Sequence, residues 1–302
     1  MIDILLAYQG YNRCYTKGTP CTQRGALLHE TAAVNPMLKR YVEAPLHLGV
    51  NSAKNWWNRV VTSGAKQVHG FIGLDARGKI AFVQTLPLDV SCWGVGGGKN
   101  GSYNYDPSKS KKLQRAHLQV EICRGSKSDA NYYWQAISLA ERVYAHWCRL
   151  YGFDPLAKMD NGKTFQVVSH REAARAGFGS NHGDPDSYMA MYGDTMDKFR
   201  QRVKARLEEP AEEVRYRYEY AMPTFYQKPK TYYHGVKLLQ ECLNQLGYKV
   251  SADGYFGAET HDAVMHFREA HGIPTPLDRF GNKKAVSCDA QTWAAINKAL
   301  NG

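Results

Sequence analysis

The feature that most constrains the fold is a change of composition about two thirds of the way along the chain of 302 residues. From residue 208 to residue 233 the sequence EEPAEEVRYRYEYAMPTFYQKPKTYY is rich in tyrosine, proline and charge. Regular apolar patterns flank this stretch, so we interpret it as a partly packed linker between two domains. The predicted division is a large domain at residues 1–208, the linker at residues 209–232 and a small domain at residues 233–302.

The first region mixes short apolar strands with helical segments. Its longest periodic segment, residues 130–151, has apolar residues about every 3.6 positions and predicts a helix that Gly152 ends. Two β-rich runs around a turn predict a hairpin at residues 68–86. Further strands are predicted at residues 25–31, 117–123 and 165–169, and further helices at residues 35–43, at residues 53–61 and within residues 188–207. This order predicts an α/β domain with a mixed central β-sheet flanked by helices.

The second region is helical. Apolar residues at helical spacing predict helices at residues 236–246, 258–271 and 290–300. We therefore expect a small all-α domain of three helices.

Charge and cysteine usage limit the partners and the compartment. The formal net charge of +11 favours an anionic partner such as the bacterial envelope, and no arginine-rich arm indicates nucleic acid. No apolar run approaches the roughly 20 residues of a membrane span. The first residues, MIDILLAYQGYNRC, do not resemble a signal peptide. The seven cysteines show no CxxC spacing, and although Cys14 and Cys21 could pair across a short loop, we expect free thiols in a reducing compartment.

Three histidines stand where a metal ion would suit them. His29 ends a buried strand in LLHETAA, His170 ends another in VVSHREA, and His182 lies in the loop GSNHGDP. A catalytic zinc ion takes three protein ligands and keeps one position open for water. A single histidine on an apolar strand is more often a structural residue, so these positions alone are weak evidence.

Four strings in this order strengthen the case: LLHETAAVNPMLKRYV, HGFIGLDARGKIAFVQTLPLD, LQVEIC and SHREAARAGFGSNHGDP. Together they resemble the zinc-dependent N-acetylmuramoyl-L-alanine amidases over about residues 20–205. That family shares its fold with peptidoglycan recognition proteins and includes many phage and prophage lysins. The resemblance implies a zinc cofactor and peptidoglycan as the partner.

The resemblance also implies a ligand set. His29 and His170 match the family's first two zinc ligands. The third is usually Cys or Asp in a K-x-C-P or K-x-D-P pattern, and the stretch at residues 180–182 places His182 at the ligand position, with Asp184 as the alternative. Ser180 then stands where the family has a lysine that stabilises the oxyanion. Arg175 or a backbone amide could take over that role.

Further site residues follow from the same resemblance. Glu121 in LQVEIC matches a glutamate that acts as general base; the alternative is a strand residue paired with a surface cation. His69 and Trp93 are expected to line the substrate groove, beside the glycine-rich segment at residues 94–98. The family often has a histidine after this tryptophan, where this chain has Gly94.

The C-terminal region resembles the type 1 peptidoglycan-binding domain. The resemblance rests on VKLLQECLNQLGY, DGYFGAETHDAVMHFREAHGI and DAQTWAAINKAL. Nearly all its apolar positions are core, so wall contacts are expected on the exposed turn, at Asp253 and Tyr255.

These expectations combine into a monomeric endolysin that hydrolyses the amide bond between N-acetylmuramic acid and L-alanine. We expect it in the host cytoplasm before lysis and at the cell wall or periplasm afterwards, without a signal peptide. The alternatives are a non-catalytic peptidoglycan-recognition protein and a zinc peptidase acting on the stem peptide, although no HExxH motif is present.

Overall fold

The structure, a computed structural model, describes residues 1–51, 57–60, 65–104, 115–275 and 287–302. Within these ranges the strands are β1 (Ile2–Leu6), β2 (Thr22–Glu30), β3 (Gly70–Leu74), β4 (Ile80–Gln84), β5 (Arg115–Ile122), β6 (Lys158–Met159), β7 (Thr164–Phe165), β8 (Val167–Ser169), β9 (Val214–Tyr218), β10 (Lys228–Tyr232) and β11 (Tyr255–Phe256). The helices are α1 (Arg13–Thr16), α2 (Ala130–Tyr151), α3 (His170–Ala176), α4 (Asp186–Ala190), α5 (Met196–Glu208), α6 (His234–Gln245), α7 (Ala258–Ala270) and α8 (Ala290–Asn301).

Seven of these strands form one central sheet in the order β8-β2-β5-β3-β4-β1-β9. Strands β8, β2, β5 and β3 run in one direction, strands β4, β1 and β9 run in the other, and the two groups meet in the antiparallel pair β3–β4. The carboxyl ends of β2 and β5 therefore lie at one edge of the sheet, and those of β1 and β4 lie at the opposite edge. The mixed α/β fold predicted for the N-terminal region is confirmed.

Strand alternation assigns the two faces of this sheet. Ala26 and Leu28 of β2 pack in the main core, which also contains Trp147 of α2 and Phe199 of α5. Leu27 packs in a separate cluster on the other face, and His29 follows it there because it is two residues further on. The long helices thus cover one face of the sheet. Polar side chains at the strand ends, such as His29, lie on the other face.

Most predicted elements are confirmed. The helix at residues 130–151 is α2, and Gly152 ends it with a left-handed φ of 71°. The hairpin is β3–β4, with the Asp75 carboxylate accepting backbone N–H groups of Arg77 and Lys79 in its turn. The three C-terminal helices are α6, α7 and α8, although β10 and β11 add a small antiparallel ribbon that the expected all-α domain lacks.

The predicted helix at residues 35–43 is wrong. Only a 3-10 turn forms there, at Leu38–Arg40. Leu74 of β3 donates its backbone N–H to the Pro36 carbonyl, and Met37 bridges Leu74 in a parallel arrangement. Pairing with β3 holds this segment extended, so tertiary hydrogen bonds override its helical periodicity.

Two other helix predictions have different outcomes. The helix predicted within residues 188–207 is α5, and the short α4 precedes it, with Gly193 at a left-handed φ of 68° between them. The helix predicted at residues 53–61 lies mainly outside the described residues.

The segment at residues 209–232, expected as a partly packed linker, supplies β9 to the edge of the sheet, where it pairs in parallel with β1. Side chains of α8 bind the end of β9 and the residues that follow it: Asn301 makes hydrogen bonds to the Tyr218 backbone and Asn297 to the Tyr220 backbone. The C-terminal domain is therefore docked on the sheet of the N-terminal domain.

Two sequence-level expectations concern cysteines and membranes. All seven cysteines are free thiols, as predicted. Among the described helices, none combines the length and apolar character needed to cross a bilayer.

Candidate metal centre

The centre begins with two neighbouring strands. In the register of β2 and β5, His29 lies directly opposite Glu121. Paired residues on adjacent strands project to the same face, so both side chains point to the face that the long helices leave open. His29 is 1% exposed and Glu121 is 8% exposed.

Helix α3 delivers the second histidine. Strand β8 pairs with β2 up to Leu28 and Ser169. The residues that follow these two in the chain, His29 and His170, therefore become neighbours. His170 is the first residue of α3, and its position is fixed by a capping box in which Ser169 and Glu172 each accept the other's backbone N–H. The Nδ1 atoms of the two histidines are 3.1 Å apart.

Asp184 completes a cluster with these histidines. Its Oδ2 atom is 3.2 Å from His29 Nδ1, and its Oδ1 atom is 3.3 Å from His170 Nδ1. Burial raises the pKa of Asp184, but the adjacent imidazole rings of His170 and His29 hold that pKa well below its usual range. The carboxylate is therefore ionised at neutral pH.

The spacing of the three donors fits a zinc ion. Zn–N and Zn–O bonds of about 2.0–2.1 Å in a tetrahedron place neighbouring donor atoms about 3.3 Å apart. The 3.1 Å between the two Nδ1 atoms matches that edge length, and each nitrogen lies 3.2–3.3 Å from a different carboxylate oxygen of Asp184. With one donor atom from each residue, the three donors lie within 4.8 Å of one another. Two imidazoles and one carboxylate also leave the fourth position for a water molecule or substrate.

The geometry favours Asp184, the alternative third ligand, over His182. The His182 side chain is 59% exposed, and its Nδ1 atom is 3.6 Å from Asp184 Oδ1. Its ring stacks on that of His170, with centroids 4.6 Å apart, and stays at the outer side of the cluster. Residues 182–185 read His-Gly-Asp-Pro, so a K-x-D-P pattern aligned on Asp184 puts His182, not Ser180, at the lysine position.

A chain of hydrogen bonds fixes the tautomer of His29. The Asn104 Oδ1 atom accepts the backbone N–H groups of Gly94 and Val95, which identifies it as the oxygen. Gln119 Nε2 donates to this oxygen at 3.0 Å, so Gln119 Oε1 is free to accept from His29 Nε2 at 3.0 Å. His29 therefore carries its proton on Nε2 and its lone pair on Nδ1.

Ser180 does the same for His170. Its hydroxyl donates to the Val95 carbonyl at 3.1 Å and accepts from His170 Nε2 at 3.2 Å. Ser180 thus lies behind His170 and holds its ring, and it also lines the cavity described below, so its contact with substrate stays a prediction. With both Nε2 atoms protonated, two lone pairs face each other across 3.1 Å, an arrangement that a cation stabilises.

Glu121 lies beside this cluster in an unusual state. Within the described part of the chain, its Oε2 atom is buried and has no hydrogen-bond partner. Burial raises the pKa of Glu121 well above its ordinary value, the charges of Asp184 and Glu30 add to the increase, and Lys66 opposes it. A buried carboxylate with a free oxygen suits proton transfer to and from a substrate.

A cavity of about 470 Å³ opens onto the cluster. Trp93, which is 53% exposed, lines it as predicted, together with Trp57, Tyr41 and Lys66.

Two predicted groove residues lie elsewhere. His69 is fully buried, with Nε2 bound to the Val90 carbonyl and Nδ1 accepting the Gln119 N–H, so the expectation that it lines the groove is wrong. Burial lowers the pKa of His69 to about 4, and the ring is a neutral core group. Arg175 is exposed in the last turn of α3 and does not line the cavity, which removes it as an oxyanion contact.

The two candidate wall-binding residues lie on an exposed turn before α7. The Asp253 carboxylate accepts from Gln240 Nε2 and from the Tyr255 N–H, both at 2.9 Å, so it holds the turn in shape. Tyr255 is 40% exposed. Their contact with a wall polymer stays a prediction.

Gln119 and Asn104 were not found from the sequence. In HLQVEIC, Gln119 and Glu121 alternate with apolar residues, and this period of two could have placed Gln119 on the same face as Glu121. Asn104 stands in a loop and gave no signal.

The C-terminal region matches a known protein family, and several solved structures are similar to the chain. The family described as "Putative peptidoglycan binding domain" matches residues 233–275, which contain α6, β11 and α7. No curated protein matches the chain. Similar solved structures include the Staphylococcus aureus hydrolase AmiA in complex with its ligand, with 19% identity, a TM-score of 0.48, and coverage of 68% of this chain and 82% of that one. A mutant endolysin from Bacillus subtilis has 17% identity, a TM-score of 0.40 and coverage of 67% and 99%, and PlyL has 19% identity, a TM-score of 0.41 and coverage of 68% and 97%.

Proposed function

We propose that this chain is a peptidoglycan hydrolase, and specifically a zinc-dependent N-acetylmuramoyl-L-alanine amidase. The observation that carries the proposal is the convergence of His29, His170 and Asp184 on one point, beside Glu121, at the base of an open cavity. The match of residues 233–275 to a peptidoglycan-binding family supports the choice of polymer.

The residues present fit a zinc ion, which His29 Nδ1, His170 Nδ1 and Asp184 would hold. When bound, zinc supplies a Lewis acid that polarises a carbonyl and makes a water molecule more acidic. Gln119 and Ser180 keep the two imidazole rings oriented through their Nε2 atoms.

The other residues act on the substrate. Glu121 accepts a proton from the attacking water and returns it to the leaving amine of L-alanine. His182 stands at the cavity wall, where the family has a lysine, and can donate a hydrogen bond to the developing oxyanion. Trp93 presents an exposed ring along the cleft for the sugar or the stem peptide.

Fragment analysis of purified peptidoglycan tests the reaction. We expect free stem peptides with an L-alanine N-terminus, detected by mass spectrometry, and their loss with a zinc chelator or in His29→Ala. Binding without cleavage would support a recognition protein instead, and cuts within the stem would support a peptidase.

We also propose the biology of a phage lysin that accumulates in the bacterial cytoplasm and reaches the wall at lysis. The seven free thiols and the net charge of +11 are compatible with a reducing compartment and an anionic envelope. Addition of the purified protein to cells with permeabilised membranes tests this role: rapid lysis is expected there, and intact cells after His29→Ala.

A further inference from the structure

A second cleft, of about 710 Å³, lies where the two domains meet. Leu6 and Gln84, the last residues of β1 and β4, line its base, and Lys237 and Glu241 of α6 line the side of the C-terminal domain. Because β1 and β4 run opposite to β2 and β5, this cleft is at the edge of the sheet opposite to the metal centre. Its volume is within the range of about 300–1,000 Å³ that is usual for small-molecule sites.

Tyrosine rings from both domains form the walls. On the wall of the cleft nearest the central sheet, the ring centroids of Tyr8 and Tyr220 are 5.1 Å apart. On the opposite side, the Tyr232 ring lies 5.2 Å from that of His234. Tyr216 and Tyr232 are each 44% exposed although they line the cleft, so both rings offer a free face to a ligand.

The polar groups of the cleft select against an anion. Lys237 and Glu241 form an ion pair at 3.9 Å, which leaves the Asp89 carboxylate as the excess charge. Burial lowers the pKa of His234, which keeps that ring neutral. Amide groups of Gln84 and Gln245 add donors and acceptors. The chain as a whole is strongly basic, so this local excess of carboxylates is a distinct property of the cleft.

We propose that this cleft binds the glycan strand of peptidoglycan, through N-acetylhexosamine units stacked on Tyr216 and Tyr232. A pyranose ring has C–H faces that pack on aromatic rings and a hydroxyl and amide edge that binds carboxylates and amides, which is the combination of groups present here. The choice of polymer rests on the proposed function. A stem peptide or a teichoic acid is anionic and fits the carboxylates less well.

A glycan site here would act together with the metal centre. The two sites are on opposite edges of one sheet, and the domains are docked through α8 and β9. Binding of the strand at the cleft would raise the local concentration of stem peptides at the metal centre.

The test is calorimetric titration of the full-length chain with chitotetraose, a β-1,4-linked tetramer of N-acetylglucosamine that has no stem peptide. We expect Tyr216→Ala to weaken binding about tenfold, as for removal of an aromatic anchor, and Tyr216→Phe to retain most of the affinity. Tyr11→Ala is the matched control, because Tyr11 is 37% exposed and lies outside the cleft. Thermal unfolding of each variant checks that the fold is intact.

Each outcome has a clear meaning. No binding of chitotetraose, equal binding by all variants, or preferential binding of a free stem peptide that Tyr216→Ala abolishes would overturn the proposal. Cleavage of peptidoglycan is measured separately on the same proteins. If chitotetraose binding depends on Tyr216 but peptidoglycan is not cleaved, the cleft proposal stands and the amidase proposal is rejected. If peptidoglycan is cleaved but chitotetraose is not bound, the amidase proposal stands and the cleft proposal is rejected.

Discussion

His29 and His170 face each other with lone pairs on Nδ1 atoms 3.1 Å apart, and hydrogen bonds to fixed backbone groups impose this arrangement. The orientation of His29 depends on Gln119, and that of Gln119 depends on Asn104. The donors of the metal centre are therefore prepared before an ion binds, which reduces the cost of ordering them.

Gln119→Leu should weaken zinc binding about 10–100-fold, because His29 would lose the acceptor that holds its proton on Nε2. Competition with a chromogenic chelator measures this affinity without reference to catalysis. Gln166→Leu is the control, since Gln166 accepts a backbone N–H from Asp154, away from the cluster. Equal affinities in both variants would reject the role of Gln119.

The choice between Asp184 and His182 can be decided in the same assay. Asp184→Ala removes a proposed ligand, so zinc affinity should fall by more than the roughly 10–100-fold typical of an outer-shell change. His182→Ala should leave the affinity nearly unchanged, because its side chain is 59% exposed and outside the cluster. The opposite result would restore His182 as the third ligand.

Glu121→Gln should lower the rate of amide cleavage by about 10²–10⁴-fold, which is the usual contribution of a general base. The same change should stabilise the metal-free protein at pH 8 by about 1–3 kcal/mol, because it removes a buried carboxylate that lacks a partner.

The stabilisation expected in Glu121→Gln depends on pH because the pKa of Glu121 is shifted upward. The pKa of Glu121 is raised in the folded state, mainly by burial, so the folded protein holds this proton where the unfolded chain has lost it. Stability from the protonated form is present below the ordinary value of 4.5 and is lost as pH rises through the raised pKa. In chemical unfolding with a chelator present, Glu121→Gln should therefore raise the free energy of unfolding more at pH 8 than at pH 5. The exposed Glu208→Gln should show no such difference.

At the scale of elements, the sequence predicts those whose signal is local. Helix α2 has an apolar stripe and a terminal glycine, and its bounds agree with the prediction. Residues 35–43 also have helical spacing, but pairing with Leu74 holds them extended. Strand β9 reads Val-Arg-Tyr-Arg-Tyr, a charged pattern that becomes a strand only because β1 offers it an edge.

The same distinction applies to the metal centre. His29, His170 and Glu121 each occupy a strand or its end, so strand patterns could bring them together. Asp184 is in a loop whose path depends on contacts such as its carbonyl accepting the Arg171 N–H. Loop conformation of this kind cannot be derived from periodicity, which is why the sequence leaves both His182 and Asp184 as candidates for the third ligand.

The capping box of α3 connects an element to the metal centre. Ser169→Ala should cost about 0.5–2 kcal/mol of stability and also weaken zinc binding, because it frees the helix end that carries His170. Thr195→Ala removes the equivalent cap of α5, where the threonine accepts the Lys198 N–H. Thr195→Ala should lower stability in thermal unfolding by a similar amount and leave zinc affinity unchanged. A loss of zinc affinity in both variants would instead indicate general destabilisation.

At the scale of the whole molecule, two asparagines join the domains. Asn301 exchanges hydrogen bonds with the N–H and carbonyl of Tyr218 at 2.8 and 2.7 Å, and Asn297 does the same with Tyr220 at 2.9 and 3.2 Å. Residues four apart share one helix face, and residues two apart in extended backbone face the same way, so α8 satisfies the open backbone groups at the end of β9 and just beyond it, as another strand would. This contact also fixes one wall of the second cleft, which lies where the two domains meet.

The double variant Asn297→Ala, Asn301→Ala should therefore uncouple the domains. We expect one calorimetric transition for the unaltered chain and two for the variant, with a loss of about 1–3 kcal/mol at each position, because the backbone groups of Tyr218 and Tyr220 lose their hydrogen-bond partners. Asn244→Ala is the matched control: Asn244 makes the same pair of bonds to Val250, but within the C-terminal domain. It should lower the unfolding temperature without separating the transitions, whereas a single unshifted transition in the double variant would mean that α8 does not hold the domains together. If the variant does separate them, chitotetraose binding should weaken as well, since the cleft needs tyrosines from both domains at a fixed distance.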